Sequence, residues 1–367
     1  MDKLCCVFNT PSLYRETIYS YIEKNFDCDW YFEDTDNHVV TFDTKQFRHV
    51  SFLHTFSIGP FYWVYGMWHI LWNKKYQKYL MMGHSRNLST FCFLLVKKFL
   101  FPKKKVYLWT HGLYGKESYI ELLWKKLLLE LADELFIYGD YACNLMIKEG
   151  FNSKKLHAIH NSLAYDVQLE LRNKMRETDI YSTHFFNTNP VLIFIGRLNF
   201  VKRLDILLDA LFKLKNDGEN YNLILVGNGP EKNKLIKKVN DLGLTESVWF
   251  YGECYDEQKN AELIYNADLC VSPGNIGLTA IHSLMFGTPA LTHNDFRKQM
   301  PEFEVIKEGE TGDFFKNENY FDLATKISQW FIKVKGQRDD VRKACYKIID
   351  ISWNPHYQIE LLKSVIN

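Results

Sequence analysis

Short apolar runs rich in β-branched and aromatic residues alternate along the chain with stretches whose apolar positions recur every three or four residues. That alternation predicts parallel sheets wrapped by helices. In the first half, Leu4–Phe8 reads as a strand, Asn9-Thr10-Pro11-Ser12 as a turn, and Arg15 to Asn25 as a helix. Val106–Trp109 is a further strand, Lys116–Glu134 a helix and Leu135–Tyr138 a strand again. Asp166 to Pro190 is polar and closes on Asn187-Thr188-Asn189-Pro190, which predicts a linker. The second half is more regular. Strands are expected at Val191–Ile195, Asn222–Val226, Val248–Tyr251, Asp268–Ser272 and Ala290–Thr292. Helices are expected between them at Asp205–Lys215, Glu231–Leu242, Asp256–Asn266 and Gly277–Phe286. Strands joined by helical crossovers make a doubly wound domain, with ligands at the carboxyl ends of the strands. The helical tail from Arg338 is long enough to cross back to the first domain.

The 367 residues are too many for one ordinary core, so two domains are expected. A 47% hydrophobic and 24% charged composition excludes wholesale disorder. The eight cysteines form no CxxC pair and several lie in apolar runs, which suits a reducing cytoplasm. The N-terminus does not read as a signal peptide, and no apolar run reaches the length of a spanning helix. Overall, 45 Lys and Arg offset 44 Asp and Glu, but the balance is local nowhere. Residues 1–43 hold nine acids and three bases, whereas Thr44 to Lys116 hold twelve bases and no acid. That basic stretch contains the aromatic run Phe61 to Trp72, followed by Lys74, Lys75 and Lys78, and later Lys103, Lys104 and Lys105. Aromatic rings beside lysines suit an anionic lipid surface. An aromatic core with a solvated basic end fits the same residues, and single-stranded nucleic acid fits them least.

Three strand-to-helix turns of the second half carry phosphate chemistry. Gly196-Arg197 with Lys202 offers two cations at a strand end, a fork and a point charge, for a diphosphate. Gly227-Asn228-Gly229-Pro230 begins like a dinucleotide fingerprint but lacks its third glycine and its acid. Gly274-Asn275-Ile276-Gly277-Leu278-Thr279 leads free amides into a helix N-terminus. In the first half, His84 in Gly83-His84-Ser85-Arg86 and His111 in Thr110-His111-Gly112 follow apparent strands and are candidate sugar or acceptor contacts. Asp34-Thr35-Asp36 has a metal-binding spacing, yet it sits among turn residues and reads as a solvated turn, so no metal site is assigned.

Taken together, the second half resembles the retaining, metal-independent GT-B glycosyltransferases of family 4, the glycogen-synthase-like superfamily. The resemblance runs through Phe194-Ile195-Gly196-Arg197, Lys202, Leu225 to Pro230, Ala267 to Pro273, Gly277-Leu278, Phe286-Gly287-Thr288-Pro289, Glu304-Val305-Ile306 and Gly309-Glu310-Thr311-Gly312. It covers about 130 residues and continues more loosely at Thr110-His111-Gly112 and Ile159-His160-Asn161-Ser162. It implies an α/β GT-B fold, two Rossmann-like doubly wound domains facing a central cleft. Their expected limits are 1–175 for the acceptor domain and 176–351 for the nucleotide-sugar domain, with a helix at 352–367 packing back on the first. Arg197 and Lys202 would hold the donor pyrophosphate, helped by Gly196, Gly227, Asn228 and the amides at Gly277, Leu278 and Thr279. His111 would meet the donor sugar, and Arg15, His84 and Glu304 are acceptor or cleft candidates.

The family usually carries two glutamates eight positions apart around the glycine-rich helix. Aligning on Gly277-Leu278 places Gly274 and His282 there. His282 can still bond a ribose hydroxyl, Asn275 can reach the sugar, and Glu302 and Glu304 are near in sequence. The implied activity is transfer of a sugar, with retention, from a nucleotide diphosphate sugar to a saccharide hydroxyl. The acceptor would be lipid-linked, in capsule or O-antigen assembly, and the enzyme peripheral on the cytoplasmic face of a bacterial membrane. No metal or other cofactor and no nucleic acid is implied. A sugar-nucleotide epimerase and an inactive nucleotide-binding scaffold are the rival readings.

Overall fold

The structure, a computed structural model, describes residues 3–34 and 40–367. The chain divides into two compact units, Met1–Leu163 with Pro355–Asn367, and Ala164–Asn354.

The strands of the N-terminal unit are β1 (Lys3–Phe8), β2 (Cys28–Glu33), β3 (Val50–Leu53), β4 (Thr55–Ile58), β5 (Phe61–Val64), β6 (Tyr76–Met82), β7 (Lys105–Thr110), β8 (Glu134–Ile137) and β9 (Leu156–Ala158). Seven form a parallel sheet ordered β3-β2-β1-β6-β7-β8-β9, and β4 with β5 forms a separate antiparallel hairpin. The helices are α1 (Glu16–Asn25), α2 (Met67–Trp72), α3 (Leu88–Leu100), α4 (Tyr119–Glu130) and α5 (Asp140–Lys148).

Alternate side chains of a strand leave on opposite faces, and β1 uses both. Cys5 and Val7 enter one core with residues of α2, α3 and α4, while Leu4, Cys6 and Phe8 enter the other with α1. Burial on both faces is why β1 reads as an unbroken apolar run.

In the C-terminal unit, α6 (Tyr165–Lys174) and α7 (Ile180–Phe185) precede a six-stranded parallel sheet. Its strands are β10 (Val191–Ile195), β11 (Asn222–Val226), β12 (Val248–Gly252), β13 (Leu269–Ser272), β14 (Ala290–His293) and β15 (Gly312–Phe315), ordered β12-β11-β10-β13-β14-β15. Its remaining helices are α8 (Leu204–Asn216), α9 (Lys232–Asp241), α10 (Glu257–Asn266), α11 (Leu278–Met285), α12 (Tyr320–Lys333) and α13 (Arg338–Ser352). The last helix of the chain, α14 (Pro355–Ile366), belongs to the N-terminal unit, where Ile359, Leu362 and Ile366 join the core lined by α1.

The stretch expected to be a linker is instead helical over α6 and α7. The division between units falls at Leu163/Ala164, ahead of 175/176, and the returning segment starts at Pro355 rather than 352. The cause is that α6 is held by polar contacts that leave no apolar period. Its Arg172 forks onto Asp350 at 3.0 and 2.9 Å, and its Gln168 Nε2 donates to Glu257 at 2.7 Å, both inside the C-terminal unit. The helix expected over Lys116–Glu134 is shorter. Ser118 caps it by accepting from the Glu121 amide, and it stops at Glu130 before β8.

Candidate active site

The carboxyl ends of β10, β11 and β13 converge within the C-terminal unit. The loops after β10 and β11 run on as paired strands, with Gly196 N–H donating to Val226 O at 2.9 Å and Leu198 N–H to Asn228 O at 2.8 Å. They lie so close that a Cβ at Gly227 would stand 1.9 Å from Gly196 O, a separation that only glycine allows. A cavity of about 650 Å³ opens over them, lined by Gly196, Arg197, Gly227, Asn228, Gly229 and Pro230, and by Glu253, Cys254 and Tyr255 beyond β12. Arg197 is exposed at this cavity and makes no side-chain hydrogen bond or ion pair among the described residues. Asn228 Oδ1 accepts from the Gly229 amide at 2.9 Å and so holds its own turn.

Lys202 sits lower and is tethered. Its Nζ donates to Asn275 O at 2.6 Å and to Asn275 Oδ1 at 3.0 Å, which leaves one of the three ammonium N–H groups uncommitted. Burial pushes its pKa down to about 8, against the pull of buried Glu302. The Lys202 backbone closes over the loop after β13. Gly274 N–H donates to Lys202 O at 2.9 Å, and a Cβ on Gly274 would lie 1.9 Å from Val201 O. Gly274 is thus a packing position that no side chain can share. Helix α11 begins at Gly277 with no side-chain cap, so the Leu278 and Thr279 amides face outward for a ligand or water. Thr279 fixes that end to β10, its Oγ1 donating to Ile195 O at 3.0 Å.

His282, on α11, is bonded through Nε2 to Glu257 Oε1 at 2.9 Å, and the same oxygen accepts from Gln168. Burial raises the Glu257 pKa, but the bonds from His282 and Gln168 outweigh it and hold the carboxyl below its usual range. Glu302 and Glu304 lie on a 3₁₀ turn, Pro301–Val305. Gln299 fastens that turn to the glycine loop by accepting from the Ile276 amide at 3.0 Å.

In the N-terminal unit the carboxyl ends of β6 and β7 frame a second cavity of about 440 Å³, with His84, Arg86, His111, Tyr114 and Lys125 on its walls. His84 and His111 are therefore brought together. Burial, with Arg15 nearby, pushes the His111 pKa down to about 4, so its ring is neutral near pH 7. Arg15 is not open to this cavity. It is buried, bonded to the hydroxyls of Tyr14, Tyr19 and Tyr138 and stacked near Trp109. Asp34 bonds His54 Nδ1 at 2.5 Å and the Thr55 amide at 2.8 Å, while its DxD partner Asp36 lies outside the described residues. Sequence reasoning missed Glu253, Cys254 and Tyr255. Their position just past a strand's carboxyl end is the signal that would have found them.

Residues 175–347 match the family described as glycosyl transferases group 1. The C-terminal unit is a group 1 glycosyltransferase domain. Over its whole length the chain has the GT-B glycosyltransferase fold. It superposes on Anabaena HepE in complex with UDP with a TM-score of 0.72, at 14% identity and 99% coverage of both chains. A glycosyltransferase of Rickettsia africae gives a TM-score of 0.73 at 14% identity, covering 100% of this chain and 98% of that one.

By sequence the chain is 35% identical over 107 residues to a GDP-mannose-dependent alpha-(1-6)-phosphatidylinositol dimannoside mannosyltransferase of Mycobacterium tuberculosis, 28% of this chain and 27% of that protein. It is 28% identical over 130 residues to the alpha-monoglucosyldiacylglycerol synthase of Streptococcus pneumoniae, 34% of this chain and 27% of the relative. The chain thus matches about a quarter of the length of these curated relatives.

Proposed function

We propose that the protein transfers a glycosyl unit, with retention of configuration, from a nucleotide diphosphate sugar to a hydroxyl of a saccharide acceptor. The observation that carries this reading is the partner-free Arg197 at a glycine-walled cavity, with tethered Lys202 and the open end of α11 on the same sheet edge. Such a set suits the negative charge that grows on a departing diphosphate. Preorganised cations and amides stabilise that charge without reorganising. Arg197 then grips the diphosphate through its fork, Lys202 donates its remaining N–H, and the Leu278 and Thr279 amides complete the cradle. Gly227 lets the loop after β11 lie against Gly196, so that both backbones line the cavity. His282 and Asn275 are the candidates nearest the ribose and sugar, and exposed Tyr255 offers a ring face to the base.

Within the N-terminal unit we place the acceptor at the cavity of His84 and His111, whose neutral ring can exchange hydrogen bonds with sugar hydroxyls. The reaction, so read, calls for no metal. Two relatives named for lipid-borne substrates, together with the acid-free basic stretch Thr44 to Lys116, support a lipid-linked acceptor on the cytoplasmic membrane face, in surface polysaccharide assembly.

The test is release of nucleoside diphosphate from UDP- and GDP-sugars, with and without a lipid-linked acceptor. Losing one preorganised donor costs on the order of 10²–10³ in rate, and that loss is expected for Arg197→Ala and for Lys202→Ala. Turnover near wild type in either variant refutes the assignment. Binding of nucleotide without release identifies a scaffold, and conversion of the sugar without release identifies an epimerase.

A further inference from the structure

Folding re-sorts the aromatic and basic residues of the N-terminal unit. Tyr62, Trp63 and Trp68, prominent in the sequence, are only partly exposed. The most exposed apolar residues that share one helix face lie further along the chain. On α4, Tyr119 and Ile120 are each 79% exposed, Leu123 57% and Leu127 50%. At 3.6 residues per turn these four positions fall within an arc of about 100°. The opposite side of the same helix puts Leu128 and Leu129 into the core. A helix apolar on two faces needs an apolar medium on each, and the protein covers only one. Helices α2 and α3 bury their inner sides in that same core, so they share the sheet face with α4. They expose Trp72, Phe99 and Leu100, with Trp72 packed on Phe101 at 5.0 Å between ring centroids.

The exposed charge of α2, α3 and the turns beside them is of one kind. Lys74, Lys98 and Lys103 are exposed and make no ion pair among the described residues, and the segment from Thr44 to Lys116 contains no acid. The carboxylates of α4 are matched locally, Glu121 by Lys125 at 3.4 Å and Glu130 by Lys126 at 3.9 Å.

We propose that the layer formed by α2, α3 and α4 is a membrane-binding face for anionic lipid. The Tyr119–Leu127 stripe enters the boundary between headgroups and acyl chains, while Lys74, Lys98 and Lys103 meet lipid phosphates. Trp72 and Tyr119 are side chains suited to headgroup depth. The proposal rests on the transferase reading only in giving a lipid-linked acceptor a surface to lie in, because adsorption itself needs no catalysis.

Sedimentation with vesicles of phosphatidylcholine containing about one-third phosphatidylglycerol tests it. Wild type is expected to pellet with these vesicles, less so with pure phosphatidylcholine, and less again in about 0.5 M NaCl, where surface charges are screened. Ile120→Glu with Leu123→Glu, and separately Lys98→Glu with Lys103→Glu, should each lower the partition coefficient by about tenfold or more. Both pairs are exposed and spare the core, so circular dichroism should match wild type. Wild type left in the supernatant, variants that pellet like wild type, or a wild-type dimer that the Ile120→Glu/Leu123→Glu variant dissolves would each overturn the proposal. Nucleotide-sugar hydrolysis, measured on the same samples without vesicles, separates the two readings. Protein that binds vesicles but releases no nucleoside diphosphate, with or without the lipid-linked acceptor, retires the transferase and leaves the membrane face standing.

Discussion

Restoring the glutamate that the family resemblance places at 274 should harm the protein rather than help it. An ideal Cβ there lies 1.9 Å from Val201 O and 2.8 Å from Lys202 Cα, whereas ordinary contact begins near 3.4 Å. The obstacle is main chain, so relief requires the Val201 carbonyl to withdraw by more than about 1 Å. That movement breaks the Gly274 N–H bond to Lys202 O and drags Lys202 from Asn275. Overpacking of this kind costs about 1–3 kcal/mol, and a rigid backbone obstacle puts Gly274→Glu near the top of that range. For a body of 150–250 residues each kcal/mol moves Tm by about 2–4 °C, so a fall of roughly 6–12 °C is expected. The clash starts at Cβ, so Gly274→Ala should show most of the same loss, which distinguishes sterics from charge. Differential scanning fluorimetry reads the Tm, and titration with UDP and GDP reads the displaced lysine as weaker binding. A Gly274→Glu protein with unchanged Tm and tighter nucleotide binding would refute the packing of Val201 on Gly274.

Three further outcomes are expected. With its pKa pushed down to about 8, Lys202 loses its charge as pH rises past that value, so nucleoside diphosphate affinity should fall by up to tenfold per pH unit from about pH 8 upward. Calorimetric titration should find that slope flattened in Lys202→Ala. His282→Glu would set a second carboxylate beside Glu257, now 2.9 Å from His282. Like charges at that range raise the folded-state pKa of the pair, so the variant should lose roughly 1–3 kcal/mol at pH 7 and recover toward wild type on acidification, as read by Tm across pH. Glu33, buried beside Asn87, is pushed up to about 7 by desolvation from its ordinary 4.5. The folded chain therefore holds a proton that the unfolded chain has released, and this contribution is lost as pH rises from 4.5 through 7. Glu33→Gln should be more stable than wild type at pH 8 and no more stable at pH 4.5 in urea titrations.

What could be read in advance divides along physical lines. Five of the six strands of the C-terminal unit were legible, since runs such as Val191–Ile195 and Asn222–Val226 are buried on both faces, whereas the edge strand β15, Gly312–Phe315, was not expected. Arg197 and Lys202 stood out as candidates because they follow a strand's carboxyl end, where open sheets hold their ligands. Strand β2 was not legible, since it buries Asp29 and Glu33 among its aromatics. Lys3 pairs with Asp29, and Asn87 donates to Glu33, from elsewhere in the fold. Helix α6 was mistaken for a linker because Gln168 and Arg172 are held by partners about ninety and 180 residues away. The exposed apolar stripe on α4 was hidden by the helix's own core face. With Leu122, Leu128 and Leu129 packed inward, Tyr119, Ile120, Leu123 and Leu127 read as more of the same helix.

The two absent glutamates were visible in sequence, but their replacement was not, because it comes from other elements. At 274 the space a carboxylate would use is filled by the Val201 carbonyl. Lys202, freed of an acid in that loop, takes Asn275 as its acceptor and has buried Glu302 as its nearby negative charge, on a turn that Gln299 ties to Ile276. At 282 the histidine bonds Glu257, so a carboxylate stands one hydrogen bond away, carried by α10 instead of α11. Each position therefore keeps an acid nearby on a different element, the turn Pro301–Val305 for 274 and α10 for 282. On the proposed reading, the diphosphate end of the site keeps its cations, Arg197 and Lys202, and the amides at the start of α11. On the same reading, the sugar and ribose ends use different donors and acceptors, and there a donor sugar differing in its hydroxyl pattern would be discriminated.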